Sequence, residues 1–250
     1  MLRCLAASSV VSSALLGLVV GCGNHAAIHD ANPPGDGANG PLDTFVFLDA
    51  PAVVDAPAVD APPSELPDLQ FVTSEMANTV VVASGNFSPD NCEVMEGCVG
   101  AAGSRVLLQF DTVTANRGAH DLVVGKPPPA GESNTVFQWS PCHMHHHFAN
   151  YTSYELVNST GVVVTGHKQA FCLEDVEQVE PGANQTGYRC DNQGISRGWA
   201  DVYTRYMSCQ WIDVTGVPSG SYTLRIILNP LHAISESDYT NNVFTIPVQI

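Results

Sequence analysis

Tyr151-Thr152-Ser153-Tyr154-Glu155-Leu156-Val157-Asn158-Ser159-Thr160-Gly161-Val162-Val163-Val164 reads as a β-hairpin. Two runs rich in β-branched and aromatic residues flank a polar turn, Asn158-Ser159-Thr160. Similar short runs lie on both sides. Upstream are Leu69–Thr73, Thr79–Ala83, Arg105–Phe110 and Ala119–Val124, the last followed by a Pro127-Pro128-Pro129 loop. Downstream are Cys209–Val214, Tyr222–Leu228 and Val243–Ile250, separated by Pro218-Ser219-Gly220 and by Asp238–Asn242. Strong helical periodicity is hard to find. Many short strands with turn signals between them predict a mainly β domain, an antiparallel β-sandwich. Residues 173–205 are polar and read as one long irregular loop. In compact domains such loops are usually functional or disordered.

Just before the hairpin lies Trp139-Ser140-Pro141-Cys142-His143-Met144-His145-His146-His147-Phe148, which holds four of the nine histidines. His143, His145 and His147 fall at i, i+2 and i+4. On an extended segment alternate side chains share a face. Three imidazoles then project together, with Met144 and His146 pointing the other way. Imidazole suits copper, zinc, nickel and iron. The stretch is therefore a three-histidine metal site, a solvated His-rich turn or an opportunistic metal binder. The flanking Cys142 and aromatic residues separate it from a low-complexity histidine tract.

Further upstream the chain begins Met1-Leu2-Arg3, and residues 5–20 are apolar or small and uncharged. That run is short for a membrane span, which needs about 20 apolar residues. It ends in Val19-Val20-Gly21-Cys22 and reads as a signal peptide, residues 1–21. The ending resembles a bacterial lipobox, in which Cys22 is lipidated and becomes the mature N-terminus. An ordinary signal peptide is the alternative. Gly23 is not an aspartate, so the resemblance gives no inner-membrane retention signal and points to the outer membrane or cell surface, or to secretion. Residues 22–67 are rich in Pro, Ala, Gly and Asp, with Asp49-Ala50-Pro51 recurring at Asp55-Ala56-Pro57 and Asp60-Ala61-Pro62. Such a segment has little to bury and is expected to be an extended, disordered tether; a partner-binding repeat is the alternative. Membrane association is expected only through the anchor at Cys22.

What remains, residues 68–250, is about 183 residues, one ordinary domain. The net charge of −16 includes the acidic tether, yet residues 69–250 still carry 17 Asp and Glu against 8 Lys and Arg. Nucleic acid is not expected as a partner, because phosphate binding needs a basic surface. Cationic substrates such as protonated amines are attracted at long range. Of the eight cysteines, Cys4 leaves with the signal and Cys22 takes the lipid. Cys92, Cys98, Cys142, Cys172, Cys190 and Cys209 remain, an even number that in an exported domain argues for three disulfides. Sequence alone permits 15 connectivities. No pair has the two-residue spacing of a zinc ribbon.

Two other residues enter through a resemblance. Lys168 is one of two lysines, with Lys126, and lies in Gly166-His167-Lys168-Gln169-Ala170-Phe171-Cys172-Leu173-Glu174-Asp175. By itself it is a surface lysine. Tyr203 lies in Asp201-Val202-Tyr203-Thr204, and by itself is a packed aromatic. In order, the chain shows Cys92 and Cys98, Arg105–Phe110, Trp139 with Cys142-His143-x-His145-x-His147, and Gly166-His167-Lys168 with Phe171-Cys172-Leu173-Glu174-Asp175. Then come Gln193-Gly194, Cys209-Gln210-Trp211-Ile212-Asp213 and Glu236-Ser237-Asp238-Tyr239-Thr240-Asn241-Asn242. This series, about residues 90–245, resembles the catalytic domain of the lysyl oxidase family and suggests a bacterial lysyl oxidase-like lipoprotein. The ordered set is far more specific than the histidine motif alone.

The resemblance implies a copper ion held by His143, His145 and His147. It also implies lysyl tyrosylquinone, a cofactor made by joining a lysine side chain to an oxidised tyrosine. The Gly-His-Lys motif carries that lysine to Lys168. The tyrosine lies six residues before the Cys of the Cys-Gln-Trp motif and ten after the Gln of the Gln-Gly motif; both counts land on Tyr203. Tyr206 satisfies neither. The implied activity is that of a protein-lysine 6-oxidase-like copper amine oxidase. It takes a primary amine (a peptidyl lysine or a small free amine) and molecular oxygen to an aldehyde, hydrogen peroxide and ammonia. Asp191 and Asp201 are the candidate general bases.

The chain departs from the family at three places. Animal members carry a further histidine where this chain has Thr152-Ser153-Tyr154, and two family cysteines are replaced by Gln178 and Trp199. The resemblance implies the pairs Cys92–Cys98 and Cys142–Cys190, the second tying the metal strand to the loop bearing Tyr203. Cys172 and Cys209 are left to form a new bridge, which needs their Cα atoms within about 7 Å. A function of another class stays open, a surface metal-binding or adhesion module with the same fold and no quinone. A zinc hydrolase is more remote, since no separate general base sits at a telling spacing.

Overall fold

The computed structural model describes residues 63–166 and 172–250. The expected signal peptide, the expected lipidation site Cys22, most of the expected tether, and Lys168 lie outside those residues.

The described chain is mainly β and its ladders are antiparallel. After a 3-10 turn (Pro63–Glu65) come β1 (Leu69–Phe71), a one-turn helix α1 (Thr73–Met76) and β2 (Val81–Phe87). A second one-turn helix, α2 (Cys92–Met95), precedes β3 (Gly103–Gln109), β4 (Thr112–Asn116) and β5 (Leu122–Gly125). Then come β6 (Phe137–Ser140), β7 (His145–Phe148), β8 (Thr152–Asn158) and β9 (Gly161–Gly166). The final group is β10 (Glu177–Gln178), β11 (Gln193–Ile195), β12 (Trp199–Tyr203), β13 (Trp211–Asp213), β14 (Ser221–Leu228) and β15 (Val243–Gln249).

The β8–β9 hairpin forms as expected, with Asn158 opposite Gly161. The Asn158 Oδ1 atom accepts from the Thr160 N–H at 2.8 Å and hydroxyl at 2.7 Å. Side chains in the alternate positions Thr152, Tyr154 and Leu156 of β8 are buried, as are Leu224, Ile226 and Leu228 of β14. That period of two gives the sheet β15-β14-β8-β9 one apolar face. The face packs on Leu108 of β3, Val113 and Ala115 of β4, Ala200 of β12 and Ile212 of β13, forming the main core. Each fully buried Leu or Ile there stabilises the fold by about 1.5–3 kcal/mol. The opposite layer is made of β1-β4-β12-β10 and β13-β3-β2. A second core gathers Leu69, Phe148, Tyr151, Leu173, Ile195, Tyr203 and Leu228.

Residues 173–205 are not one irregular loop. They contain β10, β11 and β12, and Tyr203 ends β12 inside a sheet. The expectation fails because β12 pairs with β4, which is buried at every position and includes the polar Thr112, Thr114 and Asn116. A strand buried on both faces has no alternation to betray it. Asn116 is fully buried yet satisfied. Its Nδ2 donates to the carbonyls of His120 and Ile195, both at 2.9 Å, and its Oδ1 accepts from the N–H groups of Asp68 and Gly118.

The six cysteines form three disulfides, but none of the expected pairs occurs. The bonds are Cys92–Cys142, Cys98–Cys209 and Cys172–Cys190, with Cα separations of 5.7, 5.2 and 4.9 Å. Cys92 opens α2 and Cys98 lies beyond its end, so the two meet different neighbours. Cys98 sits against Trp211, whose indole N–H donates to the Cys98 carbonyl at 3.1 Å, and this brings it to Cys209. Cys92 instead reaches the turn before β7. The Cys142 bridge therefore ties the histidine segment to α2, and not to the segment bearing Tyr203.

Candidate functional site

Strands β6 and β7 pair with Ser140 opposite His145 and Gln138 opposite His147. His145 and His147 share a face of β7, as their spacing predicts. His143 does not lie on the strand. It sits in the turn 141–144, where Met144 takes a left-handed φ of 59° and is exposed. The turn nevertheless returns the His143 ring to the other two. Ring centres are 5.7 Å apart for His143 and His145, 5.6 Å for His143 and His147, and 5.0 Å for His145 and His147. A metal about 2.0 Å from an imidazole nitrogen lies about 3 Å from the ring centre, so rings sharing one ion have centres about 5 Å apart. The donor set and its spacing fit one ion. Burial, then the neighbouring His143, pushes the His145 imidazole toward its neutral form, the form that binds metal.

His146 points away from this group, as expected. It is buried, its Nε2 lies 2.9 Å from the Glu132 carbonyl, and its ring packs edge-on against Trp139 at 4.9 Å. His143 Nε2 lies 3.0 Å from Glu96 Oε2, just beyond α2. The other Glu96 oxygen accepts from the Ser140 hydroxyl at 2.5 Å. A depression of about 310 Å³ opens here, bordered by Glu96, Trp139, Ser140 and His147. Glu96 also lies near Cys98 and Cys209. Those two sulfurs are bonded to each other and offer no thiolate to a metal.

Tyr203 is 3% exposed, and its hydroxyl donates to the Cys172 carbonyl at 3.0 Å. Burial, then the charge of Asp201, pushes its phenol well above the ordinary range. Asp201 is buried two residues earlier on the same face of β12. Asp191, the other candidate base, is exposed. Tyr206 is exposed and bonds to Arg205.

The histidine segment and Tyr203 are connected in two ways. Aromatic rings run from Phe148, at the end of β7, to Tyr151 at 6.0 Å and on to Tyr203 at 6.5 Å. Gln193, fully buried, donates to the His146 carbonyl at 3.1 Å and accepts from the Leu173 N–H at 3.1 Å. It fastens β7 to the segment whose carbonyl holds Tyr203. Gly194 beside it has no room for a side chain: a Cβ there would meet the Leu122 carbonyl oxygen at 2.4 Å. Sequence reading used Gln193-Gly194 only as a landmark and passed over Glu96, Ser140 and Tyr151. Nothing in their spacing marks them.

Thr152 and Tyr154 are buried, and the Tyr154 hydroxyl donates to Gln210 at 3.1 Å. Gln178 and Trp199 lie directly opposite each other on β10 and β12.

A family model described as lysyl oxidase matches residues 68–250. Lysyl oxidase homolog 2 of Bos taurus is 38% identical over 165 residues, 61% of this chain and 20% of that protein. The Homo sapiens homolog 2 is 35% identical over 190 residues, 71% of this chain and 24% of that protein. Lysyl oxidase homolog 3B of Danio rerio is 41% identical over 145 residues, 56% of this chain and 17% of that protein. The chain thus spans roughly a fifth of the length of these relatives.

Proposed function

This chain belongs to the lysyl oxidase family, and from that premise we propose that it is a copper-dependent amine oxidase using lysyl tyrosylquinone. Its substrates are primary amines, peptidyl lysines or small molecules. Amine, molecular oxygen and water give aldehyde, ammonia and hydrogen peroxide. The observation that carries this reading is the gathering of three imidazoles within 5.7 Å, in a chain of this family.

His143, His145 and His147 would hold the copper, and Lys168 and Tyr203 would form the organic cofactor. Together these groups supply the redox chemistry when present. The remaining work belongs to the protein. The Cys172 carbonyl fixes the Tyr203 hydroxyl, and the Cys172–Cys190 bridge fixes Cys172. Lys168 lies outside the described residues, but it is four peptide links from Cys172, a reach of at most about 14 Å. Asp201, buried beside Tyr203, is better placed than exposed Asp191 to take a proton from a bound amine.

Three disulfides suit an oxidising compartment. No helix among the described residues is long and apolar enough to cross a membrane. A lipid anchor at Cys22 on the bacterial outer membrane or cell surface agrees with the N-terminal sequence.

The test is amine-dependent peroxide release by copper-loaded protein. Wild type should release peroxide and lose activity to a carbonyl reagent. Lys168→Ala should keep copper and be inactive. A copper-loaded wild type that releases no peroxide with any primary amine and ignores the carbonyl reagent would be the non-enzymatic metal-binding or adhesion module instead.

A further inference from the structure

We propose that Glu96 is a positioning residue for the metal ligand His143. Its carboxylate accepts the proton on Nε2, so that Nδ1 would be the ligating nitrogen. The inference rests on the reading of His143, His145 and His147 as a metal site.

The three histidines are not held alike. His145 and His147 take their direction from β7, whose register with β6 fixes both. His143 is in a turn, next to Met144 in left-handed backbone. A ring in a turn needs support from outside it. Its Nε2 lies 3.0 Å from Glu96 Oε2, and the two side chains are 18% and 12% exposed.

Glu96 is itself fixed on both sides. Its Oε1 accepts from the Ser140 hydroxyl at 2.5 Å, and Ser140 Oγ accepts from the His143 N–H at 3.0 Å. Glu96, Ser140 and His143 thus close a ring of hydrogen bonds around the turn. The Glu96 N–H donates to the Cys92 carbonyl at 2.8 Å, and Cys92 is bonded to Cys142, the residue before His143. The disulfide therefore brings carboxylate and imidazole together from segments 47 residues apart. A carboxylate on the second nitrogen of a ligating histidine sets the tautomer, orients the ring and raises its basicity.

The test measures copper(II) affinity by competition with a chelator, and the copper spectrum by electron paramagnetic resonance. Wild type, Glu96→Ala, Glu96→Gln and His145→Ala are compared as full chains with disulfides formed. Unfolding of the metal-free proteins checks that each variant is folded. Glu96→Ala should bind copper about 10–100-fold more weakly, with altered hyperfine splitting. Glu96→Gln still offers a carbonyl oxygen to Nε2–H and should recover most of the affinity. Wild-type affinity and spectrum in Glu96→Ala, with copper lost in His145→Ala, would overturn the role of Glu96 alone. A Glu96→Gln variant as weak as Glu96→Ala would overturn it too, because the carboxylate would then act through charge or direct ligation. If His145→Ala bound copper as wild type does, the three-histidine site itself would fail.

Discussion

The buried Tyr203 hydroxyl donates a hydrogen bond to the Cys172 carbonyl. Tyr203→Phe removes that bond and leaves the carbonyl unpaired by it, so it should cost about 1–2 kcal/mol in denaturant unfolding. It should keep copper, as measured by metal analysis, yet show no carbonyl-reagent sensitivity. A second residue makes a pH prediction. Burial tends to raise the Asp213 carboxyl, but bonds from Thr215, the Gly100 N–H and Arg105 outweigh it and hold it below the ordinary range. A depressed carboxylate contributes stability that is complete above its unfolded pKa, about 3.9, and is lost as pH falls through the lower folded value. Asp213→Asn should therefore lower Tm at neutral pH and flatten its decline in acid. At this scale the histidines were legible because three imidazoles at alternate positions are an uncommon pattern. The way His143 is presented was not, since it depends on a left-handed Met144 and on Glu96 far away in sequence.

The β-hairpin was legible at the scale of elements because it carries both signals a strand pair can show, residue type and turn chemistry. Strand β12 carried neither, since its partner β4 is buried throughout and its apolar residues follow no period. Disulfide connectivity was illegible for another reason: it depends on which way each cysteine faces after the strands have packed. Two element-level predictions follow from close approaches. Gly194→Ala forces a Cβ against the Leu122 carbonyl, which must shift the β11–β5 ladder. It should lower stability by at least about 1–3 kcal/mol, seen as a lower denaturant midpoint. Gln178 and Trp199 face each other across β10 and β12. Cysteines at both positions should bond on oxidation, and the oxidised double variant should exceed its reduced form at this bridge by about 2–4 kcal/mol. Free-thiol counting and thermal unfolding would check this; two persistent free thiols would contradict it.

The whole described domain is an antiparallel β-sandwich with three disulfides. Cys92–Cys142 fixes the histidine turn, Cys172–Cys190 fixes the segment that holds Tyr203, and Gln193 joins the two. The protein thereby holds three gathered histidines and a buried tyrosine in one framework, as the proposed cofactor made from its own side chains would require. The most direct measurement of that claim is peptide mapping by mass spectrometry after copper loading in air. The expected result is a covalent peptide joining Lys168 to Tyr203, absent from metal-free protein and from His145→Ala. Separate, unmodified Lys168 and Tyr203 peptides from fully copper-loaded, oxygen-exposed protein would contradict it.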